Sequence, residues 1–249
     1  MKNSSILITG GAGAIGVNLV ERLIENNPKE IVIIDNLSSG NKEFLPESNL
    51  IKFYEVDISN KVAISEIFRK HEFDYIFHLA AHFANQNSVD HPHLDIQTNI
   101  NGTVNLLELS KDQKQLKKFL YSSSSCVYGS SQKMSECDFI YPSETPYSIN
   151  KYTAELYVKH FSHLYDIPAL SIRIFNSYGP YEIAGKYRNV IPNFIELALR
   201  NEPLIITGDG TETRDFTYVD DTISLFFSAA KSKERSGNYF NAGTGIETK

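Results

Sequence analysis

The sequence predicts an α/β protein: a doubly wound parallel sheet with helices on both faces, followed by a smaller second lobe. Two observations carry this. The stretch Ile6 to Gly16 is a short apolar strand that runs into Gly10, Gly11, Gly13 and Gly16, with an apolar helical stretch directly behind it. Beyond it, strand-like and helix-like stretches alternate through the first two-thirds of the chain, a pattern that layers parallel strands between helices.

From Gly11 the spacing is G-x-G-x-x-G, and from Gly10 it is G-x-x-G-x-x-G. Glycine lets the chain turn sharply out of a strand. Without a Cβ, the backbone N–H groups can approach a pyrophosphate, and the helix N-terminus adds unpaired donors and a positive dipole end. A tight strand-to-helix connection with no ligand would use the same glycines, so context decides. Val17, Leu19, Val20, Leu23 and Ile24 continue as a helix with one apolar face, closed by Pro28. Ile31 to Ile34 form a second buried strand that ends on Asp35, where the hydroxyls of an adenosine ribose would be held. Strand, glycines, helix, strand and acid together predict a dinucleotide site.

The remaining elements follow in order. A third strand covers 51–56 and ends at Asp57-Ile58, and a helix covers 60–71. Tyr75 to Leu79 make a fourth strand leading into Ala80-Ala81, and a long helix is expected over 92–112. A fifth strand at 117–121 runs into Ser122 to Ser125, a helix spans 146–165, and Ala169 to Phe175 are a sixth strand. Gly10, Asp35, Asp57, Ala80, Ser124 and Asn176 then lie at carboxyl ends of strands, where such sheets bind ligands. Residues 176–188 are rich in Gly, Pro, Tyr and polar residues, as a substrate loop would be. A helix at 190–200, a strand at 203–207, a turn at Gly208-Asp209-Gly210, a strand from Phe216 to Val219, a helix at 220–231 and a last strand from Asn238 to Ala242 complete the chain. The expected division is a dinucleotide-binding domain over 1–175 and a second lobe over 176–249.

The 249 residues are 41% apolar and 22% charged, ordinary for a globular α/β protein, with a net charge of −6. No basic stripe marks a nucleic-acid surface, and Lys111, Lys114, Lys117 and Lys118 fit a solvated helix end. No apolar run is long enough to span a membrane, and the glycines interrupt the only stretch resembling a leader. Cys126 and Cys137 make no disulfide framework, so a reducing cytoplasmic setting is expected.

Tyr147 and Lys151 form Y-x-x-x-K, which places both on one helix face. An ammonium near a phenol favours the phenolate and makes it a base usable near neutral pH. A sequence with 14 Tyr gives about one such match by chance, so position carries the weight. Pro146 marks a helix start, and the serine cluster upstream ends a strand, where Ser124 would donate to the same substrate oxygen. No metal centre is expected. His78 and His82 straddle a strand end, His91 and His93 flank a proline, Tyr75 stands where a second zinc-binding His would follow His71-Glu72, and Asp220-Asp221 opens a helix. Cys126 fits a small buried residue better than a nucleophile.

The ordered motifs resemble the extended short-chain dehydrogenase/reductases that act on nucleotide sugars, with UDP-glucose 4-epimerase as the nearest type. They are Thr9-Gly10-x-x-Gly13-x-x-Gly16, Asp35-Asn36-Leu37-Ser38-Ser39-Gly40, Asp57-Ile58, His78-Leu79-Ala80-Ala81 and Asn99-Ile100-Asn101-Gly102-Thr103. Ser122-Ser123-Ser124, Val127-Tyr128-Gly129, Pro146-Tyr147-x-x-x-Lys151, Arg173-x-Phe175-Asn176-x-Tyr178-Gly179-Pro180 and Gly208-Asp209-Gly210 through Asp221 continue them. The resemblance implies a Rossmann-like fold and NAD as cofactor, with Ser124, Tyr147 and Lys151 as the catalytic set. It implies that Gly10, Gly13, Ile15, Gly16, Asp35, Asn36, Asp57, Ile58, Leu79, Ala80, Asn99, Tyr147 and Lys151 line the dinucleotide. Ser124, Asn176, Asn189 and Arg214 would meet a UDP-linked sugar, and the chain would form a homodimer. The implied reaction is epimerisation at C4 through a 4-keto sugar. A 4,6-dehydratase or decarboxylase would carry a carboxylate just after the catalytic Ser, where Ser125 and Cys126 stand here. An inactive NAD-binding module is the alternative of another class. Relatives of this type continue beyond the equivalent of Lys249, so the second lobe is expected to be C-terminally incomplete and poorly protected over 185–218.

Overall fold

The computed structural model describes residues 1–131 and 134–249. Seven parallel strands form one sheet in the order β3-β2-β1-β4-β5-β6-β9. They are β1 (Ser5–Thr9), β2 (Glu30–Asp35), β3 (Ile51–Glu55), β4 (Tyr75–His78), β5 (Lys118–Ser124), β6 (Ala169–Ile174) and β9 (Ser236–Ala242). The order reverses between β1 and β4, and both strands deliver the chain to the same carboxyl-end crevice.

Side-chain alternation explains why the central strands read as continuous apolar runs. Ile6, Ile8, Ile31 and Ile33 face one side, where Leu19, Val20 and Leu23 of α1 (Ala14–Ile24) and Phe226 of α8 (Val219–Lys231) cover them. Leu7, Val32 and Ile34 face the other, under α2 (Lys61–Lys70), α5 (Thr103–Ser110) and α6 (Pro146–Tyr165). Both faces are buried, so neither can be polar. Thr145 starts α6 with a reciprocal capping box to Ser148, and Pro146 takes the first helical position, where its missing N–H costs nothing.

Four expectations change. The helix expected at 92–112 is broken into α4 (Pro92–Asp95), a π-helical stretch (Ile96–Gly102) and α5, preceded by α3 (Asn85–Asp90). Gly102 packs so tightly on Ile58 that a Cβ there would lie 2.5 Å from its side chain. The fifth strand runs on to Ser124, because Ser122 to Ser124 pair with Ile172 to Ile174. No strand forms at 203–207; Leu204, Ile205 and Ile206 are exposed, and an apolar run without a sheet edge to join has no ladder. Finally, the chain leaves the main sheet after residue 175 but returns to it: α8 covers the sheet and β9 pairs with β6. The segments standing apart are β7 (Ser177–Tyr178), α7 (Val190–Leu199) and β8 (Thr217–Tyr218), with β7 and β8 pairing as a small second sheet.

Candidate active site

A cleft of about 1210 Å³ opens along the carboxyl ends of the strands. The glycine loop forms its floor. Gly10 has φ +72°, and a Cβ there would lie 2.6 Å from the Ala80 backbone nitrogen, so only glycine lets the loop pass the end of β4. At Gly16 a Cβ would collide with the Gly10 carbonyl and the Gly11 backbone. Gly13 caps α1 with no side-chain hydrogen bond, which leaves the first N–H groups of the helix aimed at the cleft.

Beside this floor sit two carboxylates at strand ends. Asp35 accepts from the backbone N–H of Ala12 (2.9 Å) and Leu37 (2.8 Å). Burial raises its carboxyl above the ordinary range, and those two bonds offset part of the rise. Asp57 accepts from Asn36 Nδ2 (2.7 Å) and from the Ser59 N–H (2.8 Å). Burial pushes its carboxyl up, but the bonds from Ser59 and Asn36 win and hold it below the usual value. The cradle therefore has donors for a pyrophosphate at the α1 terminus and acceptors for ribose hydroxyls at Asp35, a fit to a dinucleotide.

At the far wall α6 presents Tyr147 and Lys151, both buried. The Tyr147 N–H donates to Ser88 Oγ (3.0 Å), which ties the helix start to α3. Lys151 Nζ donates to the Ser122 carbonyl (2.8 Å) and lies 5.0 Å from the centre of the Tyr121 ring and 5.7 Å from that of Tyr147. Burial lowers Lys151 to about 8, while Asp95, Glu155 and Cys126 pull it back up. The electrostatics at Tyr147 run opposite to the expectation from Y-x-x-x-K alone. Burial raises the phenol well above its ordinary value, nearby Cys126 and Asp95 add to this, and a hydrogen bond with Ser124 lowers it. The ammonium, held on the Ser122 carbonyl, keeps its charge, and burial still dominates the acidity of the phenol.

Every expected site residue except Asn99 lies on the wall of this one cleft. Asn99 sits behind it: its side chain accepts from the His82 N–H (3.0 Å) and donates to the His82 carbonyl (3.1 Å) and to Asp95 (3.0 Å), so it braces the loop after β4. Asn176 Nδ2 donates to the Asp215 carbonyl (3.0 Å), and Asn189 Nδ2 to Glu182 (3.0 Å). Arg214 forms a backbone bridge with Thr248. Sequence reasoning missed several residues of this wall. Ser122 acts through its carbonyl, which no residue type announces. Phe83, whose ring lies edge-on to Tyr147 at 5.9 Å, and Arg188, which reaches Ser39 across the cleft, arrive only through folding. Among the described residues no cluster of three metal-ligating side chains occurs.

Comparison with known proteins identifies the fold and the family. The chain superposes on the structure of an epimerase from Methanothermobacter thermautotrophicus with a TM-score of 0.94 and 42% identity, covering 99% of this chain and 74% of that one. It superposes on UDP-glucose 4-epimerase of Thermotoga maritima, solved with UDP-glucose, with a TM-score of 0.92 and 38% identity, covering 98% and 78%. It is also 33% identical over 267 residues to dTDP-glucose 4,6-dehydratase of Salmonella typhimurium, covering 98% of this chain and 73% of that protein. Residues 6–243 match the model of one family, and the chain belongs to it: the NAD dependent epimerase/dehydratase family.

Proposed function

We propose that the chain epimerises a nucleoside-diphosphate hexose, a UDP-hexose at C4, through a transient 4-keto sugar. The observation that carries this is the placement of Ser124, Tyr147 and Lys151 on the same cleft as the glycine cradle, with Ser125 and Cys126 following Ser124. Neither of these two can assist proton transfer beyond C4 as a carboxylate would, which favours epimerisation over dehydration or decarboxylation. Bound NAD supplies a hydride acceptor for C4, a donor that returns the hydride, and a positive ring charge that favours the phenolate. Tyr147 takes the proton of the 4-hydroxyl and gives it back, and Ser124 donates to the same oxygen. Lys151, held on the Ser122 carbonyl, keeps a positive charge beneath the phenol. Gly10, Gly13, Ile15, Gly16, Asp35, Asn36, Asp57, Ile58, Leu79 and Ala80 hold the cofactor. Asn176, Asn189 and Arg214 meet the nucleoside diphosphate, the Arg214 guanidinium matching phosphate oxygens.

The substrate lobe is formed mainly by residues 176–218. An outward stripe on α6 (Ile149, Leu156, Tyr157, Leu164) next to Leu94 and Ile96 supports a homodimer. Cys126 and Cys137 are free, in keeping with a reducing cytoplasm. The decisive experiment is a panel of UDP- and dTDP-sugars incubated with the protein and analysed for isomers, with bound NAD measured separately. A C4 epimer supports the proposal; a dehydrated or decarboxylated product rejects it, and bound NAD without turnover favours a binding module.

A further inference from the structure

The segment from Pro180 to Asn189, which joins β7 to α7, crosses the dinucleotide cleft and is fastened on both sides of it. On one side Tyr181 donates its hydroxyl to Glu21 of α1 (2.6 Å), and its ring packs on Phe44 at 5.4 Å. On the other, Tyr187 donates to Asp90 of α3 (2.7 Å). Directly after the second anchor, Arg188 donates through Nη2 to the carbonyl of Ser39 (2.8 Å), in the loop that follows β2. Ser39, Arg188, Asp35 and Gly13 line one cleft, so this bond is part of the wall that also carries the ribose-binding acid and the phosphate-facing helix end. A guanidinium has five N–H donors, and this bond uses one of them. Glu182 accepts from Asn189 and also feels the Arg188 charge, but it makes no hydrogen bond or ion pair with the guanidinium, which keeps donors free.

We propose that Arg188 is a cofactor-retaining residue: latched to Ser39 across the cleft, its guanidinium meets the anionic ribose-phosphate part of bound NAD and holds it there. Its planar fork suits phosphate oxygens better than an ammonium does. Retention serves a reaction in which the hydride is returned to the same sugar, because cofactor lost in mid-cycle would strand a keto sugar.

The test is the rate at which the NAD-loaded protein exchanges bound NAD for isotope-labelled NAD. No sugar is present, so the result is independent of the reaction proposed above. Arg188→Ala is expected to release NAD about tenfold faster, as loss of a charged hydrogen bond implies. Arg188→Lys should fall between that variant and the native chain. Tyr181→Phe, which loosens the segment and leaves the guanidinium, should accelerate release by a smaller factor. Ser39→Ala keeps the accepting carbonyl and should match the native rate. A native release rate in folded Arg188→Ala overturns the proposal. If that variant fails to fold, a native rate in both Arg188→Lys and Tyr181→Phe overturns it.

Discussion

Tyr147 and Lys151 show what burial does to a catalytic pair. A phenol removed from water loses acidity, and the proximity of Cys126 and Asp95 reinforces the loss. The residue can still act as the base once a positive group is bound beside it. Tyr147→Phe removes only the hydroxyl, so NAD content measured after denaturation should be unchanged while turnover falls roughly 10²–10⁴-fold. Ser124→Ala removes one hydrogen bond to the reacting oxygen and should cost less; equal losses would contradict the roles assigned. Lys151 makes a second prediction. Its value is lowered to about 8, so its charge is lost as pH rises through that value rather than near 10.5. The alkaline limb of the turnover profile should therefore have its midpoint near pH 8, and a profile flat to pH 10 would show that the charge is not needed.

His78 joins three elements through one buried ring. Thr103 Oγ1 donates to the Asn99 carbonyl (2.8 Å), so it accepts from His78 Nε2–H (2.9 Å). Nδ1 is left to accept from the Thr9 hydroxyl (2.8 Å), and Thr9 Oγ1 in turn accepts from the Ala80 N–H (3.3 Å). Every group is satisfied only while the imidazole is neutral. Burial, with a smaller contribution from the Lys151 charge, lowers His78 from 6.5 to about 3. Between those values the unfolded chain binds the additional proton, so stability is full above pH 6.5 and is lost as pH falls toward 3. Urea midpoints measured from pH 7 to pH 4 should fall more steeply for the native chain than for His78→Gln, which keeps a donor and an acceptor but does not titrate. Parallel slopes would remove His78 from the acid response.

For the whole molecule, the unpartnered surfaces decide the predictions. Leu156 is 50% exposed and Leu164 58%, on a helix whose opposite face is fully buried in the core. A second copy covering this stripe would bury them, so sedimentation should give a dimer for the native chain and a monomer for the Leu156→Glu, Leu164→Glu double variant. A native monomer would reject the interface. Residues 202–207 have no ladder and expose Leu204, Ile205 and Ile206, whereas β1 and β2 are fully buried and paired on both sides. Amide exchange should be faster by orders of magnitude over 202–213 than over 5–35; equal protection would mean that this stretch is covered in solution.

From residue types and spacing alone the alternation of the first six strands with helices, the glycine turn, Asp35 and the Y-x-x-x-K helix could be read, because each depends on local chemistry: a Cβ that does not fit, an acid at a strand end, a spacing of one helical turn. The cofactor type and the family were legible for the same reason, since many such local signals occur in one order. Only the tertiary structure decided which partner each side chain meets. It ran β5 through the serines because β6 offered them a ladder, and it left 203–207 unpaired and exposed. It brought β9 back beside β6, turned Asn99 from the cleft to the His82 backbone, and aimed Lys151 at the Ser122 carbonyl. Tyr147 was legible as a residue but not in its acidity, because burial and the proximity of Asp95 and Cys126 come from parts of the chain far apart in sequence. Residue type and spacing fix what a group can do, whereas its surroundings in three dimensions set its charge and its partner.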